Sequence, residues 1–125
     1  MAVNSRRKGK AGELEIVSML KEYGYKVARG QQHIGSAKGG IAGSDDVIGL
    51  PDIHIEVKRV QQLNIESAMK QSREDAHASG SGKIPVVFHR RNNERWKVTM
   101  DFDDWMWIYQ GRHIEERKKK KRAGR

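Results

Sequence analysis

The densest set of chemically useful side chains lies in residues 45–59, which include Asp45, Asp46, Asp52, His54, Glu56, Lys58 and Arg59. Ile53, Ile55 and Val57 alternate as on one face of a strand, which sends His54, Glu56 and Lys58 to the other face. Pro51-Asp52 separates this run from Val47–Leu50, so the two runs read as a hairpin. Centred on Pro51, the hairpin sets Asp46 opposite Glu56, with β-carbons about 5 Å apart. Two carboxylates at that spacing can share a divalent cation, which removes the repulsion that otherwise makes such a pair costly. Lys58, one step along the same face, can reach a phosphate or an attacking water. A register shifted by one residue sets Asp45 opposite Glu56 instead, and Asp52, four residues before Glu56, is a third candidate. Glu-x-Lys alone is more often a solvated strand face, and Asp-Asp is ordinary loop chemistry. The facing carboxylate, the basic chain ends and Glu13 together make the chemical reading the stronger one.

The elements that must position these groups follow from pattern and punctuation. Residues 1–10 read as a basic arm, and a helix is predicted from Ala11 to Tyr23, ended by Gly24. Ile16, Val17 and Leu20 make its apolar stripe, with Glu15 and Glu22 on the solvated side. Glu13 precedes Ile16 and Val17 by three and four residues, so it projects from the core-facing stripe at the helix's first turn. A short strand is expected at Tyr25–Ala28, then a Gly- and Ser-rich loop over 30–44, then the hairpin. Asn64 is placed to cap a helix running to Ala78, with Ile65, Ala68, Met69, Ser72 and Ala76 on one face. Two further strands, Ile84–His89 and Arg95–Met100, precede a last helix capped by Asp101, with Phe102, Trp105, Met106 and Tyr109 on a common face. Trp107 and Ile108 lie off that face, so this helix is apolar nearly all round. It calls for a second covered surface, which a subunit contact or the chain's own tail would supply. The order α-β-ββ-α-ββ-α is that of an α/β domain with a central mixed β-sheet flanked by helices.

Composition narrows the partners. The chain has 125 residues, 36% of them hydrophobic, enough for one modest core. Lys and Arg number 25 against 16 Asp and Glu, a net charge of +9. Residues 1–10 contribute +4 and residues 112–125 contribute +6, leaving the domain body, 11–111, at −1. A near-neutral body between a basic N-terminal arm and a basic C-terminal tail suggests a polyanion gripped at its phosphates. No apolar run approaches a membrane span, no signal-type segment opens the chain, and the absence of cysteine removes disulfides and thiolate chemistry. The expected compartment is the cytoplasm. The five histidines show no ligand-like spacing; His54 shares the chemical face, where packing or a phosphate contact is the commoner role.

Asp46…Glu56-Val57-Lys58 resembles the PD-(D/E)XK nuclease signature of the restriction-endonuclease-like fold. Lys8-Gly9-Lys10-Ala11-Gly12-Glu13 is similar to the opening of archaeal-type Holliday junction resolvases. The run from Asp46 to Arg59, the later helix with Gln71, and Pro85 to Arg91 resemble the phage-encoded branch of that group. The resemblance covers residues 7–105 and departs from the signature's name, since Asp46 follows Asp45 and not proline. It implies a structure-selective DNA endonuclease that resolves four-way (Holliday) junctions by paired phosphodiester hydrolysis. Glu13, Asp46 and Glu56 would hold Mg²⁺, with Mn²⁺ able to substitute and no organic cofactor. Lys58 would be the catalytic lysine and Gln71 a phosphate-positioning residue. The resemblance favours Asp46 over Asp45 and Asp52, and it implies a homodimer. Arg6, Arg7, Lys8, Lys10, Arg29, Arg90 and Arg91, with Lys118, Lys119, Lys120 and Lys121 of the tail, are the expected DNA contacts. Other readings are a PD-(D/E)XK nuclease for flaps or duplex DNA, and a non-catalytic DNA-binding protein whose acidic cluster is incidental.

Overall fold

The computed structural model describes residues 5–30 and 45–111. The tail lysines Lys118 to Lys121, most of the glycine-rich loop and the side chain of Arg6 lie outside the described residues. Helix α1 (Ser5–Glu22) opens the fold, followed by strands β1 (Ala28–Arg29), β2 (Val47–Ile48) and β3 (Ile53–Arg59). Helix α2 (Ile65–Ser79), strands β4 (Ile84–Arg90) and β5 (Lys97–Met100), and helix α3 (Phe102–Tyr109) follow among the described residues. The strands form one five-stranded sheet in the order β1-β2-β3-β4-β5. Every pairing is antiparallel except β3 with β4, which run parallel because α2 carries the chain back over the sheet. This is the mixed, helix-flanked sheet of a restriction-endonuclease-like fold.

The two faces of the sheet are covered differently. On one, Ile16 and Val17 of α1 pack on Val47, Ile55, Val57, Ile84 and Val86, with Leu20, Trp96 and Trp107 at the margin. On the other, Ala68 and Met69 of α2 meet Val87. Alternation along β3 therefore puts His54 and Glu56 under α2, where both are buried. Ser72, also buried, donates from its hydroxyl to the Val86 carbonyl at 3.0 Å and ties α2 to β4. Asn64 caps α2 as expected, its side chain accepting from Ser67 N at 3.0 Å, and Gly80 ends it in the left-handed region.

Four local expectations are corrected. Helix α1 begins at Ser5, so Arg7, Lys8 and Lys10 ride on it, and Glu13 sits more than two turns in, past the first turn. Gly12 costs helix stability but is needed: a β-carbon there would lie 3.1 Å from Arg59 Cβ, so the glycine lets α1 lie close on β3. Strand β1 falls at Ala28–Arg29, later than the predicted Tyr25–Ala28. Asp101 begins α3 without a side-chain cap, because Arg73 takes its carboxylate with two bonds of 2.7 and 3.0 Å. On α3 itself, Trp107 packs against the core while Phe102, Trp105 and Tyr109 are exposed, the reverse of the expected face.

Glu15 is also not a solvated residue. Its carboxylate accepts two bonds from the Arg90 guanidinium at 3.1 Å and one from Trp96 Nε1 at 3.1 Å, with Arg59 Nη1 at 3.4 Å. Arg90 in turn lies over the Trp96 ring, 5.6 Å from its centroid. Burial alone would raise the Glu15 pKa; the bonds from Arg90 and Trp96 and the charges of Arg90 and Arg59 outweigh it and hold the group below its ordinary value. A carboxyl depressed in the folded state stabilises the protein above its unfolded pKa, and that contribution disappears as pH falls through the folded value. Glu15→Ala should cost about 1–3 kcal/mol in urea denaturation at pH 7, with the difference from wild type shrinking at acid pH.

Candidate active site

The hairpin register decides which carboxylates meet. Val47 pairs with Ile55, so the next residues outward, Asp46 and Glu56, oppose each other, as a turn centred on Pro51 requires. Asp46 N donates to the Ile55 carbonyl at 2.9 Å, and Asp46 Oδ2 accepts from Val57 N at 2.7 Å. The aspartate thus replaces a strand partner for Val57 and is locked over β3. Gly30 sets this edge from the other side. Its N–H bonds the Asp46 carbonyl at 2.8 Å, and a β-carbon there would collide with the Asp45 carbonyl oxygen.

Glu13 comes to the same place from α1. Its Oε1 accepts from Arg29 Nε at 2.8 Å, and its charge bears on both Asp46 and Glu56. Lys58 Nζ stands 3.6 Å from Glu56 Oε2. Glu13, Asp46, Glu56 and Lys58 therefore stand within range of one another's charge, although among the described residues Glu13, Asp46 and Glu56 are not a set whose ligand atoms all lie within 4.8 Å of one another. Burial pushes Asp46 up to about 8, and the charges of Glu56 and Glu13 add to it against the Val57 bond and Lys58. Burial likewise pushes Glu56 up to about 7; Lys58 opposes the rise, and Asp75 and Glu13 add to it. Two buried carboxylates that repel each other, with the charge of a third acid bearing on both, would favour a hard divalent cation between them, which would relieve both the desolvation and the repulsion.

The other candidate residues separate from this locus. Asp45 turns away from Glu56, with Oδ1 2.9 Å from His54 Nδ1 and Oδ2 3.6 Å from Lys83 Nζ. Asp52 is a turn residue in the left-handed region whose carbonyl accepts from Ile84 N at 2.8 Å. His54 is fully buried, which removes it from direct phosphate contact. Arg29 is held by Glu13 and Arg90 by Glu15, so two expected DNA contacts have internal partners. Arg7, Lys10 and Gln71 are exposed, Lys8 is half-buried, and Arg91 is exposed with Glu94 3.7 Å away.

Asp75 was not among the residues singled out from the sequence. Its carboxylate, a His54 ring nitrogen and a Glu56 oxygen all lie within 4.8 Å of one another. The available signal was its spacing: Asp75 stands three residues after Ser72 and seven after Ala68, on the inward side of α2.

The raised carboxyls have a signed consequence. Groups whose folded pKa exceeds the unfolded value stabilise the protein below the unfolded pKa, and that stability is lost as pH rises through the folded one. With EDTA present, the thermal midpoint should fall between about pH 5 and pH 8, the window set by the Asp46 and Glu56 shifts. Asp46→Asn should flatten that fall in a thermal melt series. Divalent cation should restore the wild-type midpoint more at pH 8 than at pH 5.5, because bound cation favours the ionised acids.

Among the described residues no helix is long and apolar enough to cross a membrane. No curated protein matches the chain. A family model described as "Phage putative PDDEXK endonuclease" matches residues 4–121, which spans the whole sheet and all four residues of the acidic and lysine locus. With nearly the full length matched, the chain belongs to this phage PD-(D/E)XK endonuclease family.

Proposed function

We propose that the protein is a Mg²⁺-dependent, structure-selective DNA endonuclease that resolves four-way junctions by paired phosphodiester hydrolysis. The observation that carries this reading is Asp46 facing Glu56 across the hairpin, with Lys58 beside Glu56 and the charge of Glu13 bearing on both acids, under a hairpin and an opening motif that resemble the phage-encoded junction resolvases. Mg²⁺ held by the three carboxylates would supply Lewis-acid charge at the scissile phosphate. Lys58, beside Glu56 and partly exposed, orients the attacking water or offsets charge developing on the phosphate. The basic N-terminal turns of α1 and the basic tail give affinity for backbone phosphates without base preference. Arg29 and Glu13 hold each other in place, so substrate phosphate and cation can divide the pair between them.

Two nicks across a junction need two centres, and the exposed face of α3 is the proposed contact between two copies. Trp105 and Tyr109 stack with ring centroids 5.1 Å apart, Phe102 lies 6.4 Å from Trp105, and Ile108 is exposed beside them. Because Trp107 belongs to the core, Trp105→Glu is the variant that tests this surface. Light scattering should show a monomer for Trp105→Glu and a dimer for the wild type; an unchanged dimer places the contact elsewhere.

The substrate assignment is tested by incubating the protein with a four-way junction and with matched linear duplex, in Mg²⁺ and in EDTA. Symmetric nicks near the crossover with the duplex spared are expected, and only with the cation. Glu56→Gln and Lys58→Ala should each slow cleavage by roughly 10²-fold or more with junction binding largely kept. Cleavage of flaps or plain duplex in preference to the junction would assign a different substrate. No cleavage of any DNA would favour a binding protein.

A further inference from the structure

The side of Glu56 that faces α2 carries a donor set the preceding reading does not use. His54 is fully buried at the centre of the sheet, and neither ring nitrogen makes an aligned hydrogen bond. Its Nδ1 nonetheless lies 2.9 Å from Asp45 Oδ1, and Lys83 Nζ stands 3.6 Å from the other Asp45 oxygen. A carboxylate beside one imidazole nitrogen favours the proton on that nitrogen and the lone pair on the other, as in carboxylate–histidine–metal arrangements. A ring nitrogen of His54 and carboxylate oxygens of Glu56 and Asp75 lie within 4.8 Å of one another. Three electron-rich atoms converging in a buried place, one on an imidazole without a hydrogen-bond partner, are costly unless something positive lies among them.

We propose that His54 Nε2, Glu56 and Asp75 form a second cation position, which shares Glu56 with the Glu13–Asp46 position. One nitrogen and two oxygen donors suit a borderline transition-metal ion such as Co²⁺ or Zn²⁺, whereas Mg²⁺ prefers oxygen and water. Asp75 is only half-buried, so it forms the open side of the position, and Asp45, with Lys83 3.6 Å beyond it, lies against the Nδ1 side of the ring. The proposal is independent of the DNA substrate. It touches the proposed Mg²⁺ position only through Glu56, and the variants below separate the two.

The test is titration of the metal-free full chain with Co²⁺ in excess Mg²⁺, followed by visible absorption and by calorimetric stoichiometry. Wild type should bind one Co²⁺ that Mg²⁺ does not displace. Asp75→Asn, on the half-exposed helix, should weaken that binding at least tenfold while keeping the metal-free thermal midpoint. Asp46→Asn should keep Co²⁺ binding and lose only the Mg²⁺ response. His54→Gln should behave as Asp75→Asn does; if its buried side chain prevents folding, pulsed EPR of the Mn²⁺-loaded wild type supplies the nitrogen test through imidazole coupling that Asp75→Asn abolishes. Equal Co²⁺ binding by wild type and Asp75→Asn overturns the proposal. So does Co²⁺ binding lost in Asp46→Asn and kept in Asp75→Asn, or, with excess Mg²⁺ filling the other position, Mn²⁺ bound without nitrogen coupling.

Discussion

The structure turns on two carboxylates buried side by side, Asp46 and Glu56, which repel each other in a place where water cannot screen them. A chain left to minimise its own free energy would separate them. Here the hairpin leaves no choice: Val47 and Ile55 must share the α1 face of the sheet, and their neighbours on either strand must then share the opposite face. The Val57 amide holds Asp46, Lys58 answers Glu56, and Gly30 admits the Asp45 carbonyl at the sheet's edge. Apolar packing on one face thus maintains electrostatic strain on the other, strain that a cation placed there would relieve.

Helix α1 contributes to both sides of this arrangement through two glutamates. Residues two apart on a helix point about 200° apart, so Glu13 and Glu15 reach in different directions. Glu13 meets Arg29 of β1 near the acidic pair, and Glu15 meets Arg90 of β4 and Trp96 before β5. The second contact fixes where the helix lies across the sheet, and so fixes where Glu13 arrives. Gly12, between them in space, removes the side chain that would hold the helix off β3. An ion pair remote from the acidic locus is therefore part of its construction.

The core and the hairpin were legible because they rest on local periodicity. Alternation over Ile53, Ile55 and Val57, a turn at Pro51, and the capping asparagine at Asn64 each act within a few residues, and each appears in the structure as the pattern implies. The misjudged residues have long-range partners. Glu15 looked solvated because its partners are about 75 and 81 positions away, and Asp101 looked like a cap because Arg73, 28 positions earlier, could not be foreseen to take its carboxylate. The faces of α3 were exchanged because an eight-residue helix with apolar groups nearly all round carries too little periodicity to say which side the sheet will meet.

The sequence by itself determined the element order, the strand alternation, the placement of Glu56 and Lys58 on one face, and the family motif they belong to. Those depend on side-chain period and turn chemistry, which are properties of short segments. The tertiary structure set Asp45 against His54 and away from Glu56, buried His54 away from solvent, and brought Asp75 to Glu56. Each of those depends on where one element lies over another, and that is set by the packing of α1 and α2 on opposite faces of a single sheet.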